Sequence, residues 1–320
     1  MSGNEPESKA PPLLTASRRW RLDGWVLVVA ALPNGCAAAG TNQGTVWFAD
    51  PSTEAPAAAV CVGSEITALA PLSPGDRSPT VLAATMDNQT FALEPHGPPR
   101  LFLDQGAWRV ARHGRTLWLG SRGGGVTCLD PSAEPSWQRL TDPVWELATD
   151  GARLACTSLD GSVTLLDART GELRWRRQLN HPVYGVRLLT DSLIAGTALG
   201  SLVKFSDDGD ELRVAARPAV RIIRRAAAGL LVGTVNGEIE LADAELRPIW
   251  SFRTGSWVKE AVWNGDRCYV ASADHYVYFL DACGCALSRF ETGYSALSLD
   301  LGAAYLFVGS ADDHLYALKT

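Results

Sequence analysis

Two short clusters in this 320-residue sequence carry side chains that could hold a metal ion. Asp274 with His275, and Asp312 with Asp313 and His314, place an acid and an imidazole together twice, 38 residues apart. Oxygen and imidazole ligands suit a divalent cation, so Asp274, His275, Asp312 and His314 form the candidate metal set. Asp and His at such positions are also ordinary turn formers, and the reading favours that role, with no metal expected. The closest cysteine pair is Cys283-Gly284-Cys285, among seven cysteines at 36, 61, 128, 156, 268, 283 and 285. Tetrahedral zinc would need a second such pair, and none is present. No G-x-S-x-G, no phosphate-binding loop and no H-E-x-x-H occurs, so neither a catalytic residue nor a cofactor is expected.

A second set of residues suits binding rather than chemistry. Trp25, Trp108, Trp145, Tyr184, Trp257 and Tyr294 recur where an apolar strand begins, with Arg109, Glu146, Arg221, Lys259 and Glu260 beside them. Aromatic rings next to arginine are the composition of interface hot spots. Two roles are open: rings packed on neighbouring strands around a filled channel, or rings presented to a partner. Arg213, Arg217, Arg221, Arg224 and Arg225 form a local basic cluster, which would suit an acidic protein partner. The net charge of −6 argues against nucleic acid.

The elements that position these residues come from an internal repeat. An eleven-residue pattern recurs eight times: GTNQGTVWFAD from Gly40, ATMDNQTFALE from Ala84, GSRGGGVTCLD from Gly120, TSLDGSVTLLD from Thr157, GTALGSLVKFS from Gly196, GTVNGEIELAD from Gly233, ASADHYVYFLD from Ala271 and GSADDHLYALK from Gly309. Its turn position falls at Gly44, Asn88, Gly124, Gly161, Gly200, Gly237, His275 and Asp313, spaced by 44, 36, 37, 39, 37, 38 and 38 residues. The segments are short, apolar and divided by turn chemistry, so each is a strand. Asp160-Gly161 and Asn236-Gly237 read as hairpin turns in which both central residues take positive φ. Small residues precede the turn and apolar residues on both faces follow it, as expected of sheets packed radially about an axis. Trp20, Trp137, Trp175 and Trp250 fall on the outer strands, wedged between sheets. The expected fold is all-β: one eight-bladed β-propeller of four-stranded blades over residues 13–320, after a disordered tail at 1–12. Residues 13–22 are expected to complete the last blade and close the ring. The long loop from Pro71 to Pro79 accounts for the single 44-residue spacing.

Leu159 to Trp175, reading LDGSVTLLDARTGELRW, resembles the pyrroloquinoline-quinone-type (PQQ-like) propeller repeat, whose pattern is roughly D-G-x-V-Y-A-L-D-x-x-T-G-x-x-x-W. Repeats seven and eight match its first half, and the resemblance covers nearly all of residues 13–320. It implies the superfamily of eight-bladed propellers that includes quinoprotein dehydrogenases and a non-enzymatic outer-membrane assembly lipoprotein. WD-repeat propellers are the nearer confusion, but their Gly-His and Trp-Asp dipeptides are absent. The dehydrogenases carry a vicinal Cys-Cys pair, which Cys283-Gly284-Cys285 is not, so the resemblance points to the non-catalytic branch.

No run of eighteen apolar residues exists, and the first residues lack a basic segment followed by an apolar one, so neither a membrane span nor a secretory signal is expected. An odd number of irregularly spaced cysteines suits a reducing compartment, hence a cytoplasmic protein. The functional expectation is a non-enzymatic scaffold for protein–protein interaction, a subunit or regulator in a multi-protein assembly of the kind lone propellers serve in bacteria. The alternative is a small-molecule or metal-sensing propeller that regulates a partner enzyme.

Overall fold

The computed structural model describes residues 10–72, 80–104, 107–132, 134–226 and 229–320. Residues 1–9 of the expected tail and 73–79 of the expected long loop lie outside the described residues.

In blades 1 to 7 each repeat builds one four-stranded antiparallel sheet whose strands follow chain order from the axis outward, and in blade 8 it builds three of the four. Blades 1 to 8 span 26–61, 66–103, 109–139, 146–178, 183–216, 220–253, 258–291 and 296–319. The innermost strands pack side by side around the axis, and Val26–Ala31 of blade 1 meets Ala296–Leu301 of blade 8 to close the circle. Arg18–Arg21 supplies the fourth strand of blade 8, antiparallel to His314–Lys319, with Trp20 opposite Leu315. Trp20 is 1% exposed, so this strand is seated by burial as well as by its ladder. The closing strand is shorter than residues 13–22: Leu13–Leu14 instead lies parallel to the outer strand of blade 7, paired with Arg289 and Phe290. One chain segment thus ties the last two blades together.

The repeat pattern has two steric causes. The residue five places into each copy lies in the left-handed region, with φ between 65° and 96° at all eight turn positions. Gly suits that conformation, and His275 and Asp313 adopt it in blades 7 and 8. The expectation of two positive-φ residues at Asp160-Gly161 and Asn236-Gly237 needs correction, because only the glycine of each pair has one. Gly161 N–H donates to the Ser158 carbonyl at 3.2 Å, so the turn is four residues long and ends in a single left-handed residue. The small residue that opens the pattern has a different cause. A Cβ added at Gly196 would lie 2.6 Å from Val220, and one at Gly309 would lie 2.7 Å from Val26. Each is the first residue of the next blade's inner strand, so at these glycines the blades converge too closely for a side chain.

At the rim, tryptophans link consecutive blades. Trp137, Trp175 and Trp250 donate Nε1–H to the carbonyls of Ala168, Asp207 and Ala282 in the following blade, at 3.2, 2.8 and 2.9 Å. Their rings lie on Gly171, Gly209 and Gly284, where a Cβ would come within 2.6, 2.8 and 2.6 Å of the indole. This is the wedge expected of the outer-strand tryptophans.

Candidate binding face and central cavity

The inner strands carry the expected aromatic residues to one end of the axis, but not to equivalent places. In six blades the carbonyl just before the inner strand accepts a bond from the residue just after the second strand, as Trp25 does from Asn42 and Trp257 from Ala273, both near 3 Å. Trp108 and Trp145 lie further along: their own N–H groups donate to Gly120 and Thr157 at 2.6 and 2.7 Å. The six aromatics therefore divide into two groups of three. Trp25, Trp257 and Tyr294 are 50%, 50% and 53% exposed on the outer surface of this end. Trp108, Trp145 and Tyr184, on blades 3, 4 and 5, form a half-buried arc with ring centroids 5.3 and 5.6 Å apart.

Cations flank rings of both groups. The Arg122 guanidinium lies 4.6 Å and that of Arg109 5.4 Å from the Trp108 ring, Arg221 lies 5.9 Å from Tyr184, and Lys259 Nζ lies 4.8 Å from Trp257. Such contacts rigidify the rings and present a mixed aromatic and cationic surface.

Beneath the arc is a cavity of about 600 Å³ on the axis. Its wall on blades 3 to 7 is charged, and its wall on blades 8, 1 and 2 carries Leu27, Val28, Leu69, Leu297 and Leu299. Glu146 is buried at the centre of the charged wall, with Arg109, Arg187 and Arg224 at 3.3, 3.4 and 3.9 Å. Burial opposes its ionisation, yet the three guanidinium groups together hold its carboxyl below the usual range. Glu260 is gripped by Arg224. For Arg224 burial is outweighed by Glu260 and Glu146, so its pKa is raised. Arg187 goes the other way: burial and the nearby Arg224 bring it down to about 10, against partial compensation from the two glutamates. Glu146 and Glu260 are thus occupied in holding arginines, and Glu146 is too buried to meet a protein partner directly.

The arginine cluster read from sequence is dispersed. Arg213 stands on the outer strand of blade 5, Arg217 pairs with Glu240 at 2.9 Å, and only Arg221, Arg224 and Arg225 line the cavity. Arg187 and Arg122 were not anticipated. Arg187 lies three residues after Tyr184 on the same inner strand, which was the available signal.

The candidate metal residues have other work. Asp274 Oδ2 accepts from Gly255 N–H and from the Tyr278 hydroxyl at 2.5 and 2.7 Å, and Asp312 Oδ2 repeats this with Gly293 and Tyr316 at 2.6 and 2.5 Å. His275 stacks on Tyr294, and His314 Nδ1 lies 2.7 Å from the Asp312 carbonyl. Among the described residues, no group of three or more His, Cys, Asp and Glu side chains is placed to hold a metal ion.

The sequence profile of the family described as outer membrane protein assembly factor BamB matches residues 111–235. The crystal structure of BamB from Moraxella catarrhalis superposes with a TM-score of 0.74 at 19% identity, over 96% of this chain and 100% of that one. The chain is an eight-bladed propeller, and its residues 111–235 match a PQQ-like family. Other solved structures superpose on this chain equally broadly. Saccharomyces cerevisiae Sqt1 does so with a TM-score of 0.82 at 14% identity, over 97% of this chain and 99% of its own. The computationally designed Ika8 protein gives 0.81 at 15% identity, over 94% and 99%. At these identities the likeness is one of fold. No curated protein matches the propeller's sequence.

Proposed function

We propose that this propeller is a non-enzymatic scaffold, a subunit or regulator of a multi-protein assembly, which binds a protein partner through the end bearing the aromatic arc. The observation that carries this reading is the surface itself. Trp25, Trp257 and Tyr294 are about half exposed at the end where Arg122, Arg109 and Lys259 flank aromatic rings. Large aromatic side chains kept in water cost free energy unless something covers them, and aromatics with arginine are enriched where protein interfaces are strongest. The likeness to BamB, described as an outer membrane protein assembly factor, supports an assembly role. The cationic residues around the arc favour an acidic partner surface. Seven free thiols suit a reducing, cytoplasmic setting, which we propose with it.

The test is affinity capture with wild-type protein and a Trp108→Ala/Trp145→Ala/Trp257→Ala variant whose circular dichroism is unchanged. A partner held by wild type and lost by the variant is the expected result. The reading fails if the variant keeps every complex and the purified protein turns over a substrate.

A further inference from the structure

The axial cavity carries positive charge that the protein does not neutralise. Seven cationic side chains line it, Arg109, Arg112, Arg187, Arg221, Arg224, Arg225 and Lys259, against three acidic ones, Glu146, Asp150 and Glu260. The whole chain has a net charge of −6, so this excess is local to the cavity. The acids present are committed: Glu146 and Glu260 to Arg109, Arg187 and Arg224, and Asp150 to Arg153. Arg221 and Lys259 have no carboxylate within ion-pair distance among the described residues, although burial and a neighbouring cation lower the pKa of each. The Arg221 Nε and the Ser298 Oγ, both on the cavity wall, are buried without a hydrogen-bond partner among the described residues. Unpaired cations and orphan donors in a concave site cost stability, and an anion that accepts from them recovers it. A cleft lined by one sign of charge with low-dielectric walls also concentrates counter-ions.

We propose that the axial cavity binds a small multivalent oxyanion, a phosphorylated or polycarboxylated metabolite, held by Arg221 and Lys259 with Arg109 and Arg187 behind them. Guanidinium groups match the planar, two-oxygen edge of carboxylate and phosphate. The leucine wall on blades 8, 1 and 2 faces the cations, so the ligand's carbon skeleton has an apolar surface to lie against. The proposed site shares Arg109, Lys259 and Trp145 with the proposed binding face, and the two readings are told apart by what is measured: partner capture for one, binding of a small anion by the purified protein for the other.

The experiment uses full-length protein in a phosphate-free, low-salt buffer, titrated separately with pyrophosphate and with citrate. Thermal denaturation and calorimetry are read against sodium chloride of equal ionic strength. A saturable rise in melting temperature with one or both anions is expected, beyond that of chloride, and which of them binds identifies the phosphate or carboxylate class. Arg221→Gln and Lys259→Gln should each weaken binding at least about tenfold, the loss of one charge-assisted hydrogen bond. Arg221→Gln should also melt at the same or a higher temperature without anion, because it removes an uncompensated cation; a residue of merely structural role would lower it. Lys259→Gln, on a more accessible side chain, keeps the test readable if Arg221→Gln fails to fold, and Arg169→Gln on an exposed loop of blade 4 should change nothing. Equal stabilisation by chloride, unchanged affinity in both cavity variants, or binding of a polyglutamate peptide but neither small anion would overturn the proposal.

Discussion

Arg224 holds Glu260 through two parallel hydrogen bonds, Nε to Oε1 and Nη2 to Oε2, each 2.6 Å long. That leaves Glu146 to balance Arg109 and Arg187, with Arg224 also 3.9 Å away. A single buried carboxylate therefore stabilises three inner strands, those of blades 3, 5 and 6, from its own position on blade 4.

Glu146→Gln should consequently destabilise the propeller by about 3–5 kcal/mol at neutral pH, since it leaves buried guanidinium groups without their shared counter-charge. The carboxyl's pKa is lowered in the folded state, so its contribution is complete above the unfolded glutamate value of about 4.3 and is lost as pH falls through the folded value. Urea denaturation of both proteins across pH 3–8 should show a gap that is constant near neutrality and narrows in acid. A gap independent of pH would mean that packing, rather than charge, supplies the effect.

The rim contacts give a second expectation. Trp175→Ala removes a buried indole, its bond to Asp207 and its cover over Gly209, and should cost about 3–5 kcal/mol. Trp175→Phe keeps most of the ring and loses the hydrogen bond, so about 1 kcal/mol is expected. Gly209→Ala meets the same indole from the other side at a φ of 83°, adding about 1–2 kcal/mol of backbone strain to the clash. Denaturation midpoints of the three variants should rank in that sense, with Trp175→Phe closest to wild type.

Thiol reactivity should follow blade position. Cys156 and Cys268 are buried on second strands, and burial pushes both thiols up to about 12; Cys128, on a third strand, reaches about 11 from burial and the nearby Asp130. Cys61, Cys283 and Cys285 are exposed. Because the thiolate is the reacting form, a disulfide reagent at neutral pH should label these three first. The buried three should react only at the rate of unfolding, as mass mapping of labelled peptides over time would record.

The propeller fold was legible because its signals repeat at the blade's own period. A left-handed residue every 36 to 44 positions and the apolar alternation after it are required within one blade, and the small residue four places before the turn by the approach of the next blade, so all three recur in the chain at the blade's own period. Trp175 and Gly209 belong to this class, since the contact between them repeats at a fixed offset in Trp137 with Gly171 and Trp250 with Gly284. The cavity is different. Arg109, Glu146, Arg187, Arg221 and Lys259 come from five blades across 151 positions of sequence, and nothing in their local context states which will share a counter-ion. Sequence placed six aromatics at strand starts; only closure of the ring sorted them into a stacked arc of Trp108, Trp145 and Tyr184 and an exposed set of Trp25, Trp257 and Tyr294. Repeat chemistry is written within each blade, whereas the charge balance at the axis is a sum over all of them, and that sum exists only once the circle is closed.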